Sequence, residues 1–330
     1  MPIGEALLNA EITGYQVSQK VSSILLNSWA PATKKQYQSP ISKWFQFCHQ
    51  NNISPYNASF EDGAEFLADE FLNSSKGYSA MNTARSALSA ILKPIDGFTF
   101  GKHPMICRLL KGMFRMRPSL PKYVVTYDAA IVLNYLADLP VDNDLDLPTL
   151  TYKLATLILF LSGKRSQVME FLMLECMYLD NNKAVFYISE LMKETRPAFH
   201  TDPLQFMSFP YNLNLCTVTC LSNYLDRTGM FRKDLHKGHL FLSPFSPHSP
   251  VKNATIARYV RSILFSAGIP LTVFGVHSTR SSSTSKAESR HLSLSEIYKA
   301  AGWAGAGTFQ KHYKKPIVCS FDLAVLDEFK

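Results

Sequence analysis

The chain has 330 residues, of which 46% are hydrophobic and 18% are charged, and these values exclude an intrinsically disordered protein. A chain of this length buries a core large enough to fold without disulfide or metal cross-links. Lysines and arginines outnumber aspartates and glutamates by 34 to 26, and the net charge of +8 favours a polyanionic partner such as nucleic acid.

Helical periodicity predicts four helices in the first 120 residues. The first covers residues 33–51, where apolar side chains recur at helical spacing. Ser59 and Asp62 form a capping box for the second, which runs to Phe71. Ser79 is the predicted cap of the third helix, and Pro104 suits the first turn of the fourth.

Basic side chains on these helices are candidate contacts to a phosphate backbone. Arg108, Lys111 and Arg115 lie at positions i, i+3 and i+7 of the fourth helix and form a basic stripe. The same spacing also fits a solvated charged face. Further candidates on the earlier helices are Lys34, Lys35 and Arg85.

A proline-punctuated, polar stretch separates two parts of the chain. Residues 117–122 read RPSLPK, and the sequence changes character after them. We therefore expect two domains, residues 1–120 and 121–330.

The second part mixes helices with a small sheet. Thr126 is the predicted cap of a helix that reaches Leu139, and the very apolar residues 150–161 predict a buried helix that ends at Gly163. A hairpin is predicted from strands at 177–179 and 184–188 around the turn Asp180-Asn181-Asn182, and a further apolar run follows at 204–209.

Three more helices are predicted near the C-terminus. They are 217–226 closed by Gly229, 254–267 closed by Gly268, and one capped by Ser293 and Glu296 that ends at Gly302. Arg258 and Arg261 share one face of the second, and both are candidate DNA contacts.

Cysteine usage and hydropathy indicate an intracellular, soluble protein. The cysteines form no CxxC pair and lie mostly among apolar neighbours, which predicts reduced, buried thiols. Cys216 and Cys220 can share a helix face, but nothing nearby completes a set of four zinc ligands. The longest apolar segment, 154–161, is too short to span a bilayer, and no signal peptide pattern begins the sequence. We expect neither a metal nor a membrane partner.

The segment 276–316 holds the densest set of chemically useful side chains. His277 and Arg280 are three residues apart, so on a helix both can contact one phosphate. Trp303 follows, and Tyr313 lies in a basic run. Taken singly, these residues also fit a surface arginine, a core tryptophan and an interfacial tyrosine.

The order of these residues resembles that of the tyrosine recombinase (phage-integrase-like) family. SGKRSQV around Arg165 is similar to the first-arginine box, HSTR matches the HxxR box, and GWAGAGTFQKHY is similar to the segment that carries the nucleophile. ATKKQYQSPISKWFQFC and GYSAMNTARSALSAI resemble the helical core-binding domain. STRSSS, AGW and TFQKHY are most similar to recombinases of eukaryotic DIRS-like retroelements.

This resemblance implies a mainly α fold with a small β-sheet (α+β). A SAM-like helical core-binding domain would come first and a tyrosine recombinase catalytic domain second. The implied catalytic residues are Arg165, Lys193, His277, Arg280, Trp303 and the nucleophile Tyr313. Lys193 would be the general acid on a β-hairpin, and Trp303 would replace a second histidine.

The resemblance also implies the reaction and the assembly. Members of the family cleave and rejoin double-stranded DNA through a 3′-phosphotyrosine bond, without a metal or ATP, as a tetramer on two DNA sites. A eukaryotic source would place the protein in the nucleus. The tail 318–329 carries apolar residues that could dock on a neighbouring subunit or pack on its own domain.

Two positions depart from the family pattern. The acidic residue that usually follows the first arginine by three positions is Val168 here, with Glu170 nearby. Tyr313 follows Trp303 by ten positions, one more than the commonest bacterial spacing.

Two other functions stay open. One is a domesticated relative that binds DNA without cutting it, and the other is a type IB topoisomerase-like enzyme that nicks and closes DNA. If Tyr313 is not the nucleophile, Tyr298 is the next candidate.

Overall fold

The computed structural model describes residues 6–7, 17–118, 125–192, 195, 197, 200, 202–303 and 313–315. Within these ranges the protein is mainly helical with one small antiparallel sheet, so the predicted fold class is confirmed. The chain divides into two compact units, Met1–Pro121 and Lys122–Lys330. No helix in the described ranges has the length and apolarity that a membrane span needs.

The described part of the N-terminal unit is built from helices around an aromatic core. They are α1 (Gln19–Asn27), α2 (Pro31–Gln50), α3 (Phe60–Leu72), α4 (Tyr78–Ser89) and α5 (Pro104–Met116). Trp44 on α2 is fully buried, and its ring lies edge-on to Phe66 of α3. Its indole N–H donates to the Pro55 carbonyl at 2.9 Å, so the polar atom of this core residue is satisfied.

Local capping signals fix some helix starts in this unit but not others. The capping box of α3 is confirmed, because Ser59 Oγ accepts the Asp62 N–H at 3.1 Å and Asp62 Oδ2 accepts the Ser59 N–H at 2.9 Å. The predicted Ser79 cap is wrong, because α4 begins at Tyr78 and Gly77 takes the N-cap position. Ser79 therefore lies inside the first turn.

Three helices of the C-terminal unit pack against one buried helix. Its helices are α6 (Ala129–Ala137), α7 (Leu147–Ser162), α8 (Thr217–Thr228), α9 (Asn253–Ser266), α10 (Ser278–Ser289) and α11 (Leu294–Ala301). Helix α7 is buried over most of its length, and α8, α9 and α10 all pack against it. The prediction of a buried helix in this part of the sequence is therefore confirmed.

Two predicted capping residues in this unit differ from the structure. Asp128 caps α6, whereas the predicted cap Thr126 is fully buried just before it. Gly229 follows α8, but with a φ of −52° it continues into a 3₁₀ turn rather than reversing the chain. Gly268 does end α9 in the left-handed region, with a φ of 81°.

The three strands form an antiparallel sheet in the order β1-β2-β3. They are β1 (Met177–Leu179), β2 (Lys183–Phe186) and β3 (Leu204–Met207). The predicted hairpin is confirmed, because β1 pairs with β2 and Asp180 Oδ1 accepts the N–H groups of Asn182 and Lys183 at 2.8 Å in the turn. Its second strand ends at Phe186 rather than Ile188.

A buried ion pair lies in the core of this unit. Lys153 Nζ on α7 is 2.7 Å from Asp142 Oδ1, and the exposed fractions of the two side chains are 0% and 4%. Lys153 Nζ also donates to Asn214 Oδ1 at 3.2 Å, and Asn214 Nδ2 donates to the Ala137 and Leu139 carbonyls at the end of α6. This polar group therefore links α7, the end of α6 and the turns near Asp142 and Asn214.

We expect Lys153→Ala to lower the free energy of unfolding of the C-terminal unit by about 3–5 kcal/mol, because it leaves the Asp142 carboxylate buried without its cation. Urea titration followed by circular dichroism measures the change. The control is Lys237→Ala, which removes an exposed partner of Asp234 and should change stability by less than about 0.5 kcal/mol. Equal effects of the two substitutions would contradict the structural role of the buried pair.

Candidate functional site

Helix α10 is rich in serine and threonine, yet most of its side chains are buried. Its hydroxyl groups bond back to carbonyls of the preceding turn: Ser278 Oγ donates to Gly275 O, Thr279 Oγ1 to Val276 O and Thr284 Oγ1 to Arg280 O, at 2.5 to 2.7 Å. These three hydroxyls are thus satisfied within their own helix and the turn before it. Small side chains also allow neighbouring segments to approach this helix closely.

Arg280 on α10 is the buried charge of the site, with 3% of its surface exposed. Its Nη2 donates to the Ala301 carbonyl at 2.6 Å. The guanidinium carbon lies 4.5 Å from the centre of the Trp303 ring and 4.9 Å from that of Tyr313. These are cation–π distances, so both rings stabilise the charge and hold its orientation.

Trp303 and Tyr313 form an aromatic pair beside that guanidinium. Their ring centres are 4.7 Å apart with an interplanar angle of 33°. Trp303 follows α11, which starts with the predicted capping box of Ser293 and Glu296 and ends at Gly302 with a φ of 71°. Local signals at both ends of a short helix therefore bring Trp303 to the buried arginine.

Arg165 belongs to a segment that packs against the same helix. Gly163 ends α7 in the left-handed conformation, with a φ of 60°, as predicted. A Cβ on Gly163 would lie 3.5 Å from Thr284 Cγ2, one turn after Arg280 on α10. Arg165 follows two residues later, is half-buried, and precedes the 3₁₀ helix Ser166–Phe171. The turn at Gly163, two residues before Arg165, thus packs against the helix that bears Arg280.

His277 and Arg280 differ in their surroundings despite their spacing. His277 is exposed and directly precedes α10 with helical backbone angles, whereas Arg280 is buried. Lys193 lies outside the described residues. In the chain it falls between β2 and β3.

Val168 and the nearby Glu170 both have structural roles. Val168 is 3% exposed and belongs to the hydrophobic core of the unit. Glu170 Oε2 accepts the N–H of Asn253 at 2.9 Å, at the start of α9. The Glu170 carboxylate therefore caps the N-terminus of α9.

The basic stripe on α5 faces solvent. Arg108, Lys111 and Arg115 are exposed and line a shallow groove of about 680 Å³, and α5 buries its opposite face through Ile106, Leu110 and Met113. Elsewhere in this unit Lys35 is exposed and Lys34 is half-buried. Arg85 is half-buried, with its stem packed beside Gly101. The α5 cations and Lys35 are thus the exposed candidate DNA contacts on this unit.

A second basic groove lies on the C-terminal unit. Arg258 and Arg261 are exposed on α9, and Arg258 lines a groove of about 890 Å³. Lys252 and Phe245 line it too. Sequence analysis missed both residues, because each lies in a loop without helical periodicity.

The described cysteines do not form a metal site. Cys216 is buried at the N-cap of α8, where its Sγ accepts N–H groups of Phe209 and Thr219 at 3.2 and 3.5 Å. Burial opposes the charged form, but these hydrogen bonds prevail and lower the pKa of Cys216. Among the residues that the structure describes, no group of three or more His, Cys, Asp or Glu side chains could hold a metal ion.

Comparisons with known proteins give matches only among solved structures, since no family model and no curated protein matches the sequence. The XerH site-specific recombinase bound to difH substrate in a pre-cleavage complex has a TM-score of 0.60 and 15% identity over 98% of this chain and 94% of that chain. Its post-cleavage complex on palindromic difH substrate has a TM-score of 0.57 and 15% identity over 92% and 88%. The Tn1549 transposon integrase in complex with transposon right end DNA has a TM-score of 0.54 and 13% identity over 100% and 99%.

These identities are low, so the matches establish the fold alone. The alignments extend over nearly the whole of this chain, so they include segments of both compact units. The protein has the fold of the tyrosine recombinases, as the order of its sequence motifs predicts.

Proposed function

We propose that this protein is a DNA strand transferase that cleaves and rejoins DNA through a 3′-phosphotyrosine intermediate. The observation that carries the proposal is the packing of Tyr313 and Trp303 on the guanidinium of Arg280. This cluster lies on a fold shared with recombinases and integrases whose structures are DNA complexes. Site-specific recombination or integration is the reaction that such a site supports.

The cations of the site would activate Tyr313. A tyrosine hydroxyl with the reference pKa of about 10 is a poor nucleophile at neutral pH, and a nearby positive charge favours its phenolate. Arg280 supplies such a charge next to the ring. Arg165, carried on the turn that packs against the same helix, would supply a second one at the phosphate.

The same residues would stabilise the transition state. Attack on a phosphodiester places negative charge on its non-bridging oxygens, and preorganised donors aimed there are each worth on the order of 10²–10³ in rate. Arg165, Arg280 and His277 are our proposed donors, and Trp303 would donate from its indole N–H. Two guanidiniums can take the electrophilic role that a divalent metal has in other nucleases.

The bond energy would be conserved in the intermediate. The Tyr313 oxygen bonds to phosphorus, the bond to the 5′ oxygen breaks, and Lys193 protonates that leaving oxygen. The phosphotyrosine bond can then be attacked by another 5′ hydroxyl, so strands are rejoined without ATP.

DNA binding would use both compact units. The exposed stripe of Arg108, Lys111 and Arg115 on α5 and the exposed Arg258 and Arg261 on α9 suit phosphate contacts. We propose a helical core-binding domain, a catalytic domain and a homotetramer on two DNA sites. The motif sequences STRSSS, AGW and TFQKHY support a DIRS-like mobile element as the source. If the source is eukaryotic, the protein would act in the nucleus.

We expect the purified protein to form an SDS-resistant adduct with nicked genomic fragments that trap the cleaved strand, and we expect Tyr313→Phe to abolish it. The substitution removes only the attacking oxygen and keeps the ring that packs on Arg280. Gel mobility of labelled DNA, followed by peptide mapping, measures the adduct and its position.

The matched control for this experiment is Tyr298→Phe, since Tyr298 belongs to the same cluster and its ring centre is 6.3 Å from that of Trp303. It should leave the adduct intact. An adduct that survives Tyr313→Phe would assign the nucleophile elsewhere. DNA retention without any adduct would favour a binding protein that no longer cuts, and relaxation of supercoils without strand exchange would favour the topoisomerase-like alternative.

We expect Lys193→Ala to slow cleavage and a 5′-bridging phosphorothiolate at the mapped cleavage position to restore it. A thiolate leaves without protonation, so the general acid becomes unnecessary. Single-turnover rates on both substrates measure the rescue. Lys183→Ala, which changes a lysine on β2, is the control and should cleave both substrates normally; failure of the rescue would remove Lys193 from the acid role.

We expect replacement of Arg108, Lys111 and Arg115 by alanine to make the association constant for DNA less sensitive to salt. The negative slope of its logarithm against the logarithm of salt concentration should become shallower by up to about 3, since each lost phosphate contact contributes about 0.9. Fluorescence anisotropy with duplex DNA measures the slope. The control replaces Lys20, Lys233 and Lys237, which are exposed and give the same change in net charge. Identical slopes for the two triple variants would show that the α5 stripe makes no phosphate contacts of its own.

A further inference from the structure

Two side chains on α10 contact the segment 313–315, and the first, Ser285, bonds to the backbone on either side of Lys314. Ser285 Oγ donates to the Tyr313 carbonyl at 3.3 Å and accepts the Lys315 N–H at 3.4 Å. The one hydroxyl of Ser285 therefore bonds to the carbonyl of Tyr313 and to the N–H of Lys315, two residues later. Ser285 is 5% exposed, so water does not easily replace these bonds.

The second contact is an ion pair at the same place. Glu288 Oε1 is 2.6 Å from Lys314 Nζ, and the exposed fractions of the two side chains are 26% and 57%. The hydrogen bond and the charge of Glu288 raise the pKa of Lys314. Ser285 and Glu288 are three residues apart, so they lie on one face of α10.

Together with Arg280, these residues make one helix the support for the whole described segment 313–315. Arg280 contacts the face of the Tyr313 ring, and Ser285 and Glu288 contact the chain that carries the ring. The ring contact alone would let the chain slide or tilt. The backbone contacts limit the position and direction of the hydroxyl relative to α10.

We propose that Ser285 and Glu288 are positioning residues that fix the Tyr313–Lys315 segment on α10 and so aim the tyrosine hydroxyl at its target. This inference rests on the proposed function in one respect, namely that Tyr313 is the nucleophile. Attack on phosphorus requires alignment of the incoming oxygen, and a displacement of about 1 Å can reduce the rate by about 10²-fold. Neither residue touches the reacting atoms, so both act through Tyr313.

The two contacts should respond differently to salt. The Glu288–Lys314 pair is partly exposed, so dissolved ions weaken it. The Ser285 hydrogen bonds join uncharged groups in a buried place and should be insensitive to ionic strength. Variants of the two residues can therefore be told apart by their salt profiles.

The first experiment measures amide hydrogen exchange of the full chain without DNA. We expect Ser285→Ala and Glu288→Lys to raise exchange at least about tenfold in the peptide that contains residues 313–315. The double variant Glu288→Lys with Lys314→Glu should restore protection, because it rebuilds the pair with reversed signs. The control is Ser289→Ala, whose exposed hydroxyl bonds only to the Lys286 carbonyl of its own helix. Unchanged exchange in Ser285→Ala and Glu288→Lys would overturn the proposal.

The second experiment measures the single-turnover cleavage rate at saturating DNA together with DNA affinity. We expect the rate to fall about tenfold in both single variants, with the Glu288→Lys defect shrinking in the reversed pair, and affinity to stay within twofold. Faster amide exchange in the single variants together with an unchanged cleavage rate would overturn the positioning role. If the unaltered protein forms no adduct at all, the proposed function fails, and the exchange result still decides whether Ser285 and Glu288 hold the segment.

Discussion

The site depends on the burial of one positive charge. Moving a guanidinium out of water is unfavourable unless its donors and its charge are matched, and Arg280 is matched by the Ala301 carbonyl and by the rings of Trp303 and Tyr313. Those partners come from the end of α11 and from a segment ten residues beyond Trp303. The buried charge therefore holds α10, the end of α11 and the segment 313–315 together. The rings of Trp303 and Tyr313 cover the guanidinium.

Helix α10 can carry this charge because its other side chains are small and polar. Several of its hydroxyls bond to carbonyls of the preceding turn, and they add little bulk. The turn at Gly163, two residues before Arg165, can then approach Thr284 on this helix. Helix α7, in contrast, contributes buried apolar side chains to the core. It also carries Lys153, which pairs with the buried Asp142. Helix α7 thus contributes mainly to the hydrophobic core, and α10, which packs against it, carries the buried arginine of the candidate site.

Signals between near neighbours in the chain made the elements predictable. The capping boxes at Ser59 and Ser293, the left-handed Gly163 and the turn at Asp180 each depend on residues within four positions. The errors arose where two local solutions compete: Asp128 caps α6 in place of Thr126, and Gly77 precedes α4 in place of Ser79. For α6 the core decides, because it buries Thr126 and leaves Asp128 half-buried at the helix start, whereas neither Gly77 nor Ser79 is buried.

The sequence by itself determined the class of fold, the positions of most helices and the hairpin, and the order of the candidate residues from Arg165 to Tyr313. It could not determine that Arg280 would be buried while His277, three residues earlier, is exposed. Nor could it predict that Ser285 and Glu288 contact the segment 313–315, or that Glu170 accepts a hydrogen bond from the first residue of α9. These contacts join residues that are far apart in the chain, and only the packing of the 3₁₀ helix Ser166–Phe171 against α9 and of the segment 313–315 against α10 brings them within hydrogen-bonding distance.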